Sequence, residues 1–210
     1  MNGLALAFAW PCAVLVWLEE LLHSGRDECF GFFANVFALC PGLPGMYLRR
    51  AFYRWTLQGC APDVFIGFGT IFSSREAVLE SGVYIGVYAV IGSVILRKNC
   101  LIGTRASLLS GPRLHALSEN GDWLPTNLAL REQVVIGENA WLGEGVVVMA
   151  NVGARAMLSA AAVSSTPVPE GVMVAGNPAR FVKRLAVEGG DNSGAEPASI
   201  ERSEPVAILG

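Results

Sequence analysis

The residue best suited to acid–base chemistry in this sequence is a histidine within a polar stretch. The 210 residues contain only two histidines, and His115 lies in the segment SGPRLHALSENGD. An imidazole has an ordinary pKa of about 6.5, so it can accept a proton near neutral pH and act as a general base. The alternative for His115 is an ordinary surface histidine, and this is how we interpret His23.

A cluster of cations follows the segment AGNPAR, which Arg180 completes. Lys183 and Arg184 come shortly afterwards. Guanidinium and ammonium groups donate charge-assisted hydrogen bonds to phosphate oxygens. We therefore expect these cations to bind a phosphate-bearing ligand. We expect them to lie on a short C-terminal helix over residues 179–187. The alternative is a solvated helix face with no ligand.

Composition excludes several kinds of site and partner. Two histidines per chain are too few for a metal site built from three imidazoles of one chain, and we expect no metal. The five cysteines are odd in number and form no C-x-x-C pair, which fits a reducing compartment. A net charge of −3 gives no electrostatic drive toward DNA or RNA, so we expect no nucleic-acid partner.

The elements that position these groups follow from a repeat with a period of six residues. Each hexad opens on an aliphatic residue, often followed by Gly, and holds a small or β-branched residue in fifth place. The hexads read IGFGTI from Ile66, LESGVY from Leu79, IGVYAV from Ile85, IGSVIL from Ile91, IGTRAS from Ile102, IGENAW from Ile136, LGEGVV from Leu142, VMANVG from Val148 and LSAAAV from Leu158.

This repeat predicts an all-β solenoid, a parallel β-helix over residues 62–178. Short strands joined by tight corners explain the frequent Gly, which would weaken a long strand. One aliphatic side chain per hexad then points into a core shared by stacked coils. The alternative is a β-sandwich in which the Gly spacing arises by chance. A polar segment, 109–133, interrupts the repeat and carries His115, and we expect it to be an extruded functional loop.

The two ends of the chain lack the hexad. Residues 1–61 are predicted to be helical, and a basic amphipathic helix over 45–59 places Arg49, Arg50 and Arg54 opposite its apolar face. Residues 1–18 carry no charge but are interrupted by Pro11, so we expect no spanning helix. The helical region is expected either to cap the β-helix or to lie on a membrane surface. Residues 188–210 read as a flexible tail.

The hexads, the loop with His115 and the segment PVPEGVMVAGNPARFVKRL together resemble the hexapeptide-repeat acyltransferases. Relatives in that family include the maltose, galactoside and xenobiotic acetyltransferases and polysaccharide O-acetyltransferases. The resemblance covers about residues 66–185. It implies a left-handed β-helix, a homotrimer with active sites between subunits, and acetyl-CoA as the acyl donor.

The resemblance also implies roles for individual residues. His115 would be the general base, and Trp141 would line the pantetheine arm of the donor, although an aromatic at a trimer contact is equally consistent. The other expected donor contacts are Gly143, Ser159, Ala160, Gly176, Asn177, Arg180, Lys183 and Arg184. The polar candidates for orienting the base or binding the acceptor are Ser110, Glu119, Asn120, Asp122 and Trp123.

These observations favour transfer of an acetyl group from acetyl-CoA to a hydroxyl of a saccharide or cell-envelope glycan precursor. N-acetylation of a nucleotide-linked or lipid-linked amino sugar is the alternative within the same class. A non-catalytic β-helix scaffold would need neither His115 nor the basic cluster, and a γ-type carbonic anhydrase would need more histidines. We expect a cytoplasmic protein, with peripheral contact at the inner face of the membrane as a further possibility.

Overall fold

The computed structural model describes residues 2–23, 27–111, 118–125 and 131–185. His115 and the predicted tail, 188–210, lie outside these described residues. Three helices come first: α1 (Asn2–Leu22), α2 (Glu28–Ala38) and α3 (Gly42–Thr56). Short strands follow from Gly59 onward, so the β-structure begins slightly before the predicted limit of residue 62.

The first helix corrects one expectation from the sequence. Helix α1 runs for 21 residues and contains Pro11 in its interior. A proline removes one helical hydrogen bond, but packing on a neighbouring helix can hold the chain helical through it. Among the described residues, Gly3–Leu22 is the one helix that could cross a membrane by length and composition alone. The expectation that Pro11 interrupts this segment is therefore wrong.

The strands are two to five residues long and form three sheets. They are β1 (Gly59–Cys60), β2 (Phe65–Ile66), β3 (Ile71–Phe72), β4 (Val78–Leu79), β5 (Tyr84–Ile85), β6 (Val90–Ile91), β7 (Val94–Leu96), β8 (Leu101–Ile102), β9 (Ser107–Leu108), β10 (Val134–Ile136), β11 (Trp141–Leu142), β12 (Val147–Val148), β13 (Met157–Leu158), β14 (Val163–Ser164), β15 (Val172–Ala175) and β16 (Arg180–Arg184).

The sheets are the three sides of a left-handed parallel β-helix of about six coils. Sheet A has the order β1-β4-β7-β10, sheet B has the order β2-β5-β8-β11-β13-β15-β16, and sheet C has the order β3-β6-β9-β12-β14. All pairs are parallel except β15 with β16. Strand β9 ends at Leu108 and β10 begins at Val134, so the segment between them leaves the rod at the corner between sheets C and A.

The hexad residues occupy the positions that the period predicts. Ile66 pairs with Ile85, Ile85 with Ile102, and Ile102 with Leu142, and all four are fully buried in one column. The small residues in fifth place fill the corners of the core: Thr70, Val83, Ala89, Ala106, Ala140 and Val146 are buried. The β-helix interpretation is confirmed, and the inward column is what holds the coils in register.

Helices α2 and α3 close the open end of the rod. Both pack on the first coil, and their contact is built from aromatic rings. Tyr53 lies 4.5 Å from Phe72 of strand β3, and Phe37 lies 5.0 Å from Phe52, measured between ring centroids. The amide of Gly69 also donates to the carbonyl of Ala38 at the end of α2, over 2.9 Å. These contacts cover the first coil's apolar interior, which would otherwise meet water.

A buried arginine joins the two capping helices to the β-helix. The Arg49 side chain is 2% exposed, whereas the sequence predicted it on a solvent-facing basic surface. Its guanidinium donates to the carbonyls of Cys40 over 2.6 Å, Phe37 over 3.3 Å and Ala38 over 3.5 Å, all at the end of α2. It also donates to the carbonyl of Ile66 in β2 over 3.1 Å. The predicted basic face is wrong at Arg49.

Four carbonyl oxygens stabilise this cation in place of a carboxylate. No ion pair with Arg49 occurs among the described residues. Burial lowers the pKa of Arg49, but a guanidinium stays protonated at neutral pH. The last carbonyls of a helix carry the negative end of its dipole, so the end of α2 suits a positive charge.

The C-terminal segment differs from the predicted helix over 179–187. Arg180–Arg184 form β16, which pairs antiparallel with β15. The turn at Gly176 and Asn177 reverses the chain, and the free edge of sheet B then offers a ladder of backbone hydrogen bonds. Pairing with that edge provides hydrogen-bond partners for the backbone of Arg180–Arg184. The edge is formed by the tertiary structure, so the sequence of this segment does not reveal it.

Replacing Arg49 by alanine should destabilise the fold more than replacing an exposed arginine of the same helix. The change leaves buried carbonyls without a donor, which costs about 2–4 kcal/mol, or about 5–10 °C in Tm. Arg54→Ala, at an exposed position of α3, is the matched control and should shift Tm by less than about 2 °C. Thermal unfolding at equal protein concentration measures both, and equal shifts would contradict a structural role for Arg49.

Candidate active site

The extruded segment is anchored where it leaves the rod. Ser110 is buried, and its hydroxyl accepts a hydrogen bond from the amide of Ser93 over 2.7 Å. Ser93 and Ser74 occupy the equivalent corner of the preceding coils and are also buried. The Ser110 side chain is thus engaged inside the β-helix, and its predicted contact with substrate is not supported.

The middle of the segment forms an exposed turn. The amide of Ser118 donates to the carbonyl of Asp122 over 2.8 Å, and the Ser118 hydroxyl accepts from the amide of Asp122 over 3.0 Å. Glu119, Asn120 and Asp122 point away from this turn into solvent, and Trp123 is 72% exposed. These four predicted acceptor residues therefore share one exposed region of the extruded segment.

The returning end of the segment reaches back along the rod toward the capping helices. Arg131 donates to the Ser74 hydroxyl over 3.0 Å and lies 3.4 Å from the Glu76 carboxylate. The Gln133 side-chain amide donates to the carbonyl of Glu76 over 2.7 Å. No sequence pattern indicates these anchors, since Arg131 and Gln133 belong to no motif and their partners are more than 50 residues away.

A cavity of about 510 Å³ opens beside these anchors, between the helical cap and the first coil. Arg75 crosses it, donating to the carbonyl of Thr56 over 3.1 Å and to the Glu20 carboxylate over 2.9 Å. Trp17 and Trp55 form another part of the wall, with ring centroids 6.1 Å apart and planes nearly perpendicular. The sequence gives no signal for this cavity, because its walls come from α1, α3 and the corner of a coil.

Several predicted donor residues lie together at the corner between sheets B and C. Gly143 stacks directly on Ser159 and Ala160 of the next coil, where a Cβ added at Gly143 would lie 2.6 Å from the amide nitrogen of Ala160. The next position along the rod is the turn with Gly176, whose carbonyl accepts from the amide of Val163 over 3.0 Å. The structure thus brings these residues into one column.

The backbone of this column differs from the predicted arrangement. The amide of Gly143 donates to the carbonyl of Leu158 over 2.8 Å, and the amide of Ser159 donates to the carbonyl of Val174 over 2.9 Å. Both amides therefore bond within the β-helix and are not free to pair with an extended ligand. The Ser159 hydroxyl, in contrast, is buried and finds no hydrogen-bond partner among the described residues.

Trp141 belongs to a ladder of large side chains on the outer face of sheet B. It pairs with Leu101 on one side and Met157 on the other, and it is half exposed. Farther along the sheet, Phe65 and Tyr84 stack with centroids 4.8 Å apart. Such an outward apolar ladder fits both interpretations of Trp141, as a wall for the donor and as a contact between subunits.

The basic cluster lies on β16 at the far edge of sheet B. Arg180, Lys183 and Arg184 are all exposed, and Arg180 pairs with Ala175 of β15. Gly176 and Asn177 form the exposed turn that joins these two strands. The cluster and the turn therefore share one end of the rod with Ser159, whereas the capping helices lie at the other end.

The cysteine thiols are a further set of potential nucleophiles. Burial raises the pKa of Cys60 and of Cys100 to about 12, so neither is a thiolate near neutral pH. All five cysteines are free. In the described part of the chain, no group of three or more His, Cys, Asp or Glu is placed to hold a metal ion.

Comparison with solved structures places this fold among acetyltransferases. A maltose O-acetyltransferase from Clostridium difficile 630 superposes with a TM-score of 0.60 at 16% identity, over 80% of this chain and 90% of that one. A hexapeptide-repeat-containing acetyltransferase from Vibrio cholerae, VCA0836, complexed with acetyl coenzyme A, superposes with a TM-score of 0.52 at 19% identity, over 79% of this chain and 92% of that one. At these identities the likeness shows the fold.

The sequence comparison adds a curated relative. The Escherichia coli K12 protein "Putative lipopolysaccharide biosynthesis O-acetyl transferase WbbJ" is 30% identical over 133 residues, which are 60% of this chain and 66% of that protein. The chain is thus similar, in sequence and in fold, to hexapeptide-repeat acyltransferases. It spans just under two thirds of this relative and about a quarter of two further curated relatives. No family model matches this hexapeptide-repeat protein.

The variant Ser159→Ala tests whether this residue serves only the packing of the coils or also binds the acetyl-CoA donor. Removing a buried hydroxyl that lacks a partner should leave Tm unchanged or raise it slightly, because its desolvation is not compensated in the free protein. If the hydroxyl bonds to the donor, the KM for acetyl-CoA should rise about 2- to 10-fold. Glu144→Ala, at an exposed position of the same corner, is the control for general effects of the corner. An unchanged KM would remove Ser159 from the donor site.

Proposed function

We propose that this protein transfers an acetyl group from acetyl-CoA to a hydroxyl of a saccharide or glycan precursor. The observation that carries the proposal is the hexapeptide β-helix, whose repeat is interrupted by a segment that contains a histidine. Relatives with this architecture are named as O-acetyltransferases, one of maltose and one of lipopolysaccharide biosynthesis. The acceptor class rests on those names and on the polar, exposed character of the extruded segment.

In the proposed reaction, His115 takes the proton of the acceptor hydroxyl as its oxygen attacks the thioester carbonyl. The tetrahedral intermediate then collapses, the carbon–sulfur bond breaks, and the CoA sulfur leaves with a proton returned from the imidazolium. The products are the acetyl ester and free CoA, and no oxidant or metal is needed. Direct transfer is consistent with the high pKa of the buried thiols Cys60 and Cys100, which are poor candidates for an acyl-enzyme.

We infer that the donor lies along the corner column toward the C-terminal end of the rod. The cations Arg180, Lys183 and Arg184 would bind the phosphates of the nucleotide end, and the turn at Gly176 and Asn177 would approach the same end. The exposure of these cations supports this placement. Trp141 and Ala160 would border the pantetheine arm.

We further propose that the protein assembles as a homotrimer with active sites between subunits. The outward ladder on sheet B supports this assembly, since Tyr84, Leu101 and Trp141 are each about half exposed in the single chain. Burying such a row against a neighbouring subunit would remove a contiguous apolar surface from water. Acceptor contacts from Glu119, Asn120, Asp122 and Trp123 would then come from an extruded segment near the neighbour.

His115→Ala should lower kcat for acetyl transfer by roughly 10²- to 10⁴-fold, the size of a general-base contribution. Donor binding and thermal stability should remain, because the change is confined to the extruded segment. His23→Ala, which removes the other histidine, is the matched control and should keep wild-type kcat. Product analysis by mass spectrometry, before and after mild alkaline treatment, separates an ester from an amide. Near-normal kcat in a folded His115 variant would exclude it as the base.

Neutralising Arg180 and Lys183 together to glutamine should raise the KM for acetyl-CoA by about tenfold. The effect should be smaller with acetyl-3′-dephospho-CoA, because that donor lacks the phosphate with the most charge. Arg155→Gln, a surface arginine elsewhere on the rod, provides the control. Steady-state kinetics with both donors measures the difference, and an unchanged KM would refute the phosphate assignment.

A further inference from the structure

Helix α1 has an inverted distribution of apolar side chains. Its small residues Ala5, Ala9 and Ala13 are buried at four-residue intervals. Large apolar residues point outward: Leu4 is 80% exposed, and Phe8 is 67% exposed. A surface helix of a soluble protein turns its polar residues outward. In α1 the side that packs on the rest of the protein is lined by small residues, and the solvent-facing side is apolar.

Helix α1 is nevertheless part of the folded cap. It lies along α3, and two tryptophans fix it there. The indole nitrogen of Trp17 donates to the carbonyl of Trp55 over 3.2 Å, and the indole nitrogen of Trp55 donates to the carbonyl of Leu6 over 3.3 Å. Because one side of α1 is held along α3, only its outer side is available to a partner. This geometry suits a helix that lies in a surface rather than one that crosses a bilayer.

The apolar surface on the outer side of α1 is too wide, and too uniformly apolar, for a single helical partner. At about 100° per residue, its large side chains cover roughly half of the helix circumference. They are Leu4, Phe8, Trp10, Leu15, Leu18, Leu21 and Leu22. A coiled-coil seam is narrower, and a protein interface carries a polar rim. Residues 2–18 contain no charged side chain that could form such a rim.

The charged residues beside α1 are the next feature of this surface. Arg50 and Arg54 of α3 line a crevice next to Leu6. The acidic residues at the end of α1 are paired within the protein: Glu19 accepts from the amide of Cys29 over 2.9 Å, and the exposed Glu20 pairs with Arg75 over 2.9 Å. Cations near an apolar surface favour anionic headgroups.

We propose that α1 lies in the surface of a lipid bilayer, with Leu4, Phe8 and Leu15 among the acyl chains and Arg54 toward anionic headgroups. A groove of about 290 Å³ between α1 and the start of α3, lined by Tyr47 and other apolar residues, extends the same surface. An in-plane helix of this kind buries its apolar face about 5–10 Å into the headgroup boundary. The proposal rests on α1 and its neighbours, and it does not depend on acetyl transfer.

Flotation with vesicles tests this proposal on the full chain. Phosphatidylcholine vesicles containing phosphatidylglycerol should carry the protein upward at low salt, and pure phosphatidylcholine vesicles should carry less. The variant Leu4→Ser/Phe8→Ser/Leu15→Ser should lose vesicle partitioning by more than about tenfold, because it removes apolar area from the membrane face. Phe181→Ser/Val182→Ser, with two exposed apolar residues on β16 at the other end of the rod, should float like the wild type.

The outcomes that overturn the proposal are specific. A wild-type protein that stays at the bottom with anionic vesicles, or a triple variant that floats equally well, refutes it. Sedimentation velocity without lipid identifies the competing occupant: if the triple variant changes oligomeric state, the face is a contact with a second copy and the membrane assignment is wrong. Circular dichroism checks folding, and Leu21→Ser/Leu22→Ser, at two strongly exposed positions, replaces the triple variant if that one unfolds.

Discussion

The close stacking of coils at the corner between sheets B and C is the constraint on which the rest of the rod depends. Successive strands of a sheet lie about 4.8 Å apart, so the backbone of each coil meets the backbone of the next. At Gly103 and Gly143 the space of a Cβ is already taken by the following coil. Packing therefore requires glycine at these two positions, directly after the buried aliphatic residues Ile102 and Leu142.

A rod built by stacking has two ends, and this protein closes them differently. At the helical end, Arg49 donates to the carbonyls of α2 and of β2, so one side chain fixes both capping helices to the first coil. At the other end, β16 folds back on β15 and covers its edge. A buried cation is costly to desolvate, and four carbonyl partners in fixed positions are what make it tolerable here.

The sequence predicts the parts of this molecule that repeat, and it fails where a single contact decides the structure. The burial of Ile85 and Ile102 follows from the period alone. Nothing local distinguishes Arg49 from its neighbour Arg50, because burial of Arg49 depends on α2 ending beside it. Likewise, the strand at Arg180–Arg184 depends on the free edge of β15, which is a tertiary feature. The partner of the Ser110 hydroxyl is the amide of Ser93, 17 residues away, and no local pattern indicates this pair.

The placement of the extruded segment relates the two ends of the molecule. The segment leaves the rod after β9, and its returning residue Arg131 bonds to Ser74, two coils closer to the helical cap. The proposed donor residues lie in the opposite direction, toward β16. The proposed membrane face of α1 and the proposed donor residues therefore lie toward opposite ends of the rod. The segment also contains His115, the base that we propose, in a stretch free of the hexad pattern, whose inward positions are apolar or small.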